Sequence, residues 1–121
     1  MAVFNCQGTF DFLNSRQKSF LSLKFSQAKA KIMPHEIAAP IGISYAEAVA
    51  ILAALQAARL CQNYIVVYHS CEPDYTVEYI PLERGFPNDN WICPNCQEEL
   101  ENLNELSFGI LSVSCSSIEF I

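Results

Sequence analysis

Hydrophobic and polar positions change period once along this chain, near residue 63, from helical spacing to alternation. Over residues 9–30, Phe10, Leu13, Phe20, Leu21, Leu23 and Phe25 recur among Ser, Lys and Gln at roughly helical intervals, which predicts one long helix or two short ones. Pro34 suits the first turn of a further helix, where its missing N–H is not needed. Gly42 then marks a tight turn. Ser44 is placed to cap a third helix, and Glu47, three residues on, reaches back to complete a capping box. Ala48, Ile51, Leu52 and Leu55 recur on one face of that helix, which should fade near Arg59-Leu60. Beyond Asn63, Tyr64-Ile-Val-Val-Tyr-His69 is rich in β-branched and aromatic residues and predicts a strand. Thr76-Val-Glu-Tyr-Ile80 predicts a second strand and Ser107-Phe-Gly-Ile-Leu-Ser-Val113 a third.

Helices followed by strands predict an α+β fold. The segment Pro34-His-Glu-Ile-Ala-Ala-Pro-Ile-Gly-Ile-Ser44, with the Ala48, Ile51, Leu52, Leu55 pattern after it, resembles the core of the winged helix-turn-helix superfamily. The resemblance covers roughly residues 15–80 and departs from the pattern twice. Pro40 lies where the second helix should still run, so that helix should be short. Arg59 stands where the third helix often ends on glycine.

Composition sets the bounds. With 121 residues, 51% of them hydrophobic, the chain can bury a core, as one domain or as one module with an appendage. Its longest apolar stretch, residues 46–58, is too short to span a bilayer and is interrupted by Glu47 and Gln56. The opening Met-Ala-Val-Phe-Asn-Cys lacks the basic start and apolar centre of a signal peptide, so a cytoplasmic location is expected.

That location governs how the six cysteines are read, because reduced thiols stay free or bind metal. Cys6, Cys61 and Cys115 stand alone, whereas Cys93-Pro-Asn-Cys96 has the spacing of a zinc knuckle. A redox pair would need a βαβ setting, which the turn-rich Phe86–Trp91 segment and the acidic stretch after Gln97 do not provide. A structural zinc wants four protein ligands. Residues i and i+2 of a strand face one side, so His69 and Cys71 are the expected partners of Cys93 and Cys96. Cys115 is the main substitute and Cys61 a poorer one. His35, near a helix start, is the remaining histidine, and Cys6 reads as a small buried hydrophobe. Four protein ligands leave no open position for substrate or water, so one structural Zn2+ is expected. The pairing looks like a zinc ribbon grown out of the wing of a winged helix. This resemblance implies a helical winged-helix core over residues 1–68 and a wing with zinc ribbon over residues 69–121. It also implies a zinc that holds strands together without doing chemistry.

Charge narrows the partners. Residues 1–59 carry six basic side chains against three acidic ones, and residues 60–121 carry one against ten, giving +3 and −9. The acidic half is no nucleic-acid surface, since phosphate binding rests on clustered Lys and Arg. Base reading by the third helix would need Arg, Lys, Asn or Gln on its outer face. That face offers Ala46, Val49, Ala50, Ala53, Gln56 and Ala57, with Arg59 at its end. A face so apolar is expected to be covered, by the chain itself or by a protein partner meeting Val49, Ala53, Gln56 and Arg59. No phosphate loop or nucleophile elbow is present, and the paired carboxylates of residues 98–105 lack a pocket, so no enzymatic activity is expected. The expected function is that of a zinc-stabilised adaptor or regulatory subunit binding protein rather than membrane or small-molecule substrate. The alternatives are a transcription-type regulator using the basic N-terminal helix and wing on nucleic acid, and an accessory component of a bacterial defence or toxin operon.

Overall fold

A computed structural model describes residues 1–72, 74–86, 91–100 and 105–121, and its elements form two units. The first, residues 1–63 with 112–121, contains β1 (Ala2–Phe4), α1 (Ser15–Lys24), β2 (Lys31–Ile32), α2 (Pro34–Ile41) and α3 (Tyr45–Ala57). The second, residues 64–111, contains β4 (Thr76–Pro81), β5 (Trp91–Ile92) and β6 (Glu99–Leu100). Strands β3 (Cys61–His69) and β7 (Leu106–Ser114) run through both, and β8 (Ile118–Phe120) belongs to the first. The chain is therefore mixed α+β. No helix among the described residues is long and apolar enough to cross a membrane.

In the first unit the helices begin where side chains can take up orphan N–H groups. Asn14 and Gln17 exchange side-chain bonds with each other's backbone amides at 2.8 Å, which starts α1 at Ser15. The helical spacing over residues 9–30 thus yields one ten-residue helix, and Phe10 and Leu13 are buried from turns before it. Helix α2 is short, as Pro40 predicts: a proline has no N–H for the Glu36 carbonyl, and the helix stops at Ile41. Gly42 closes it in the left-handed region (φ 70°), with Ile43 N–H donating to the Ala38 carbonyl at 3.0 Å. An added Cβ at Gly42 would meet nothing within 4 Å, so Gly42→Ala costs only backbone strain. Urea denaturation of that variant should show a loss of about 1 kcal/mol.

Ser44 and Glu47 cap α3 reciprocally, at 3.0 and 2.8 Å. Ala48, Ile51, Leu52 and Leu55 are fully buried, as their spacing predicts. The helix ends at Ala57, and Arg59 takes the left-handed conformation (φ 62°) that glycine would otherwise supply. Asn63 then explains why the chain changes period where it does. Its N–H donates to Gln56 Oε1 at 2.8 Å and its Nδ2 to the Leu52 carbonyl at 2.9 Å, so the start of β3 is tied to α3.

Residues 112–121 return to the helices, and that return differs from a single boundary after residue 68. Ile118 and Phe120 join the core of Leu21, Phe25, Ile37 and the inner face of α3. Strand β8 pairs parallel with β1, setting Phe4 opposite Phe120, whose ring meets those of Phe4 and Phe25 at 5.7 and 5.5 Å. Strand β2 pairs antiparallel with the end of β7, Ile32 opposite Ser112.

In the second unit β3 and β4 are antiparallel, Ile65 opposite Ile80, with an irregularity between Val67 and Tyr68. Among the described residues, Val67, Ile80, Trp91, Cys93 and Leu106 form a buried cluster there, with Ile65, Val77 and Phe86 packed against it. The order of the main sheet is β2-β7-β3-β4.

Candidate metal centre

Four side chains of the second unit converge. The donor atoms of His69, Cys71, Cys93 and Cys96 all lie within 4.8 Å of one another. His69 and Cys93 are buried, and Cys71 and Cys96 are exposed.

Cys93 and Cys96 are presented by a hairpin. Strands β5 and β6 pair antiparallel, Ile92 opposite Glu99, and the Cys93 N–H donates to the Glu98 carbonyl at 3.0 Å. The turn closes with Gln97 N–H on the Cys93 carbonyl at 2.8 Å, and Gln97 adopts a left-handed φ of 61°. This folding turns backbone amides inward: those of Cys96 and Asn95 hydrogen-bond to the Cys93 sulfur, and that of Glu98 to the Cys96 sulfur. His69 and Cys71 arrive differently from the expected alternation of a strand. Strand β3 ends at His69, and Cys71 follows in a turn closed by Glu72 N–H on the His69 carbonyl at 3.1 Å. The turn, rather than the two-residue repeat of the strand, brings thiol and imidazole together.

Two of the six donor–donor distances match the edges of a tetrahedron around one ion. With zinc–sulfur bonds of about 2.3 Å and zinc–nitrogen bonds of about 2.0 Å, the edges of the tetrahedron are about 3.8 Å for two sulfurs and about 3.5 Å for sulfur and nitrogen. Cys71 Sγ lies 3.8 Å from Cys93 Sγ, and Cys96 Sγ lies 3.5 Å from His69 Nδ1. A disulfide would need about 2.05 Å, and all six cysteines are free.

Electrostatics point the same way. Burial pushes the Cys93 thiol up, but the amides of Cys96 and Asn95, helped by the neighbouring thiols, bring it down to about 7. At Cys96 the Glu98 amide pulls downward, yet burial and the crowding of Cys93 and Cys71 leave the thiol raised. One of these sulfurs ionises readily and the next resists, because their charges would meet at one point. A divalent cation removes that conflict. His69, Cys71, Cys93 and Cys96 can therefore hold one metal ion.

The remaining cysteines and the second histidine lie outside this group. Cys6 is buried, as is Cys61, whose thiol is pushed up to about 11 mainly by burial, against a hydrogen bond with Ser112. Cys115 and His35 are exposed. Of the residues expected to meet a partner, Ala53 and Arg59 are exposed and Val49 is half-buried. Gln56 is half-buried too, and its carbonyl oxygen already accepts the Asn63 N–H. Its amide is thus engaged in holding β3.

Sequence reasoning missed the residues around the four ligands. Asn95 Nδ2 donates to Cys71 Sγ at 3.6 Å. Trp91 sets its ring edge-on to His69 at 6.2 Å and donates from Nε1 to Glu78 Oε2. Glu105 Oε2 lies 3.7 Å from His69 Nε2. Trp91 and Asn95 could have been suspected from their place in the cysteine motif, whereas nothing local marks Glu78 or Glu105. Comparison of the chain with protein-family models, with curated proteins and with solved structures finds no match.

Proposed function

We propose that this chain is a non-enzymatic adaptor or regulatory subunit, in which a structural zinc ion shapes a surface that a protein partner recognises. The observation that carries the reading is the closed donor set: three sulfurs and one imidazole nitrogen, all from the chain, within 4.8 Å of one another. Soft sulfur donors with one nitrogen favour zinc among common divalent ions. Bound there, zinc would supply a cross-link between the β3 end and the β5–β6 hairpin. With four protein ligands it has no place for a reacting water.

The order of elements supports the winged-helix part of the reading. Helix α1, strand β2, helices α2 and α3, then β3 follow in the expected sequence, and β7 pairs between β2 and β3 as the returning strand of a wing would. In this reading the segment that carries the four donors, between β3 and β7 along the chain, corresponds to the wing tip. The outer side of α3 argues for protein over DNA. It exposes Ala50, Ala53 and Ala57, and its single amide, Gln56, is occupied by Asn63. Base edges need free donors and acceptors, which this surface does not offer. The net charge of −6 further disfavours a phosphate backbone.

Size-exclusion of the purified protein with the products of its neighbouring genes tests the reading. Co-elution with one of them, lost on removal of the metal, is the expected result. A monomer that binds none of them, or a salt-dependent shift of random duplex DNA, would count against it.

A further inference from the structure

The metal group uses one edge of the His69 ring and leaves the other without a task. Nδ1 lies 3.5 Å from Cys96 Sγ, so Nδ1 is the ring nitrogen beside the thiols and the one placed to take an ion. His69 is 1% exposed, and its Nε2 has no hydrogen-bond partner. Glu105 stands on that side, with Oε2 3.7 Å from Nε2, and Glu98 is near: His69, Glu98 and Glu105 bring ligand-type atoms within 4.8 Å of one another.

We infer that Glu105, with Glu98 beside it as a reserve acceptor, is a positioning residue that takes a hydrogen bond from His69 Nε2–H and so fixes the ring for metal binding through Nδ1. This rests on the zinc reading above. The chemistry is direct. A metal on Nδ1 leaves the one ring proton of a neutral imidazole on Nε2, and a buried N–H needs an acceptor. A carboxylate there holds the tautomer, orients the ring and strengthens the other nitrogen as a donor.

The placement of Glu105 suits this role. Its carbonyl accepts the N–H of Ser70, the residue after His69, at 3.1 Å, so its backbone is anchored to the turn that carries the ligand. Its side chain is 48% exposed, free to close a gap of 3.7 Å to the ~2.8 Å of a charge-assisted hydrogen bond. Charge gives a second reason. Glu98 and Glu105 stand close to a histidine shared with three thiols, where further negative charge is unfavourable. A proton presented at Nε2 and a cation behind the ring offset that repulsion.

The test uses the full chain loaded with zinc. Long-range nitrogen–proton correlation of the imidazole should show Nδ1 bound to metal and a proton on Nε2. In competition with a chromophoric chelator, Glu105→Ala should weaken zinc binding about tenfold and the double variant E98A/E105A about a hundredfold. Glu105→Gln, which keeps an acceptor oxygen, should recover most of the loss. Cobalt-loaded variants should retain the charge-transfer bands of three thiolates, which separates loss of ring positioning from loss of a sulfur ligand. Unchanged affinity in E98A/E105A, or metal on Nε2, overturns the inference and leaves the zinc reading intact. A wild-type chain that takes up no zinc overturns both.

Discussion

Cys93→Ser is expected to reduce bound zinc from one equivalent to almost none and to unfold residues 64–111. Two features make the effect large. Cys93 is the buried sulfur of the set, receiving the amides of Cys96 and Asn95, so serine removes the donor that is most fully prepared as a thiolate. Cys93 is also part of the second unit's core, where among the described residues it is buried with Val67, Ile80, Trp91 and Leu106. Compact units this small commonly depend on a metal or disulfide staple. Structural zinc contributes about 10 kcal/mol or more in small zinc-finger peptides. Metal analysis by mass spectrometry, together with the dispersion of amide resonances from residues 64–111, reads both consequences. Cys61→Ser and Cys115→Ser, outside the donor group, should keep their zinc. Stoichiometric metal in Cys93→Ser would sink the assignment. Protons compete for the same sulfurs, so wild-type affinity should fall as pH drops, with Cys96 protonated first and the fall steepening below about 7, where Cys93 also regains its proton.

Helix α3 was the most legible element because several independent signals coincide on it. Ser44 and Glu47 mark its start, and Ala48, Ile51, Leu52 and Leu55 mark its buried face. Strands β3, β4 and β7 were legible for a similar reason, each being long enough for β-branched residues to accumulate. Strands β1 and β8 were not. Three residues cannot display a period, and their pairing joins Ala2 to Ile118, a contact that no local pattern announces. The two-residue strands β2, β5 and β6 are invisible for the same reason.

Site residues divide in the same way. Cys93 and Cys96 were readable because their chemistry depends on local spacing, which a hairpin turn enforces. His69 and Cys71 were reached through the expected alternation of a strand, whereas the turn after β3 is what brings them together. Any local device that gathers residues two apart would have passed the same test, so the ligand set tolerated an error in the element that presents it. The Glu105 carboxylate had no such protection. Its relation to His69 spans 36 positions and depends on how β7 begins, which is a property of the fold alone.

Leu52→Ala should cost the first unit about 3 kcal/mol, a large share of the 5–15 kcal/mol available to a domain. Leu52 is fully buried between the other inward residues of α3, so truncation leaves a cavity that rigid neighbours cannot fill. Its carbonyl also accepts Asn63 Nδ2–H at 2.9 Å, so distortion of the helix there would loosen the start of β3 as well. Urea denaturation should give a lower midpoint with an unchanged slope, the signature of lost stability without a changed unfolded state. The folded variant should still bind one zinc, because every donor lies in residues 64–111. Ala53→Ser, one residue along and exposed, should change stability by less than about 0.5 kcal/mol. A loss below about 1 kcal/mol at Leu52 would mean that the buried face of α3 has been misplaced. Its outer face would then have to be redrawn too, and with it the surface assigned to a partner.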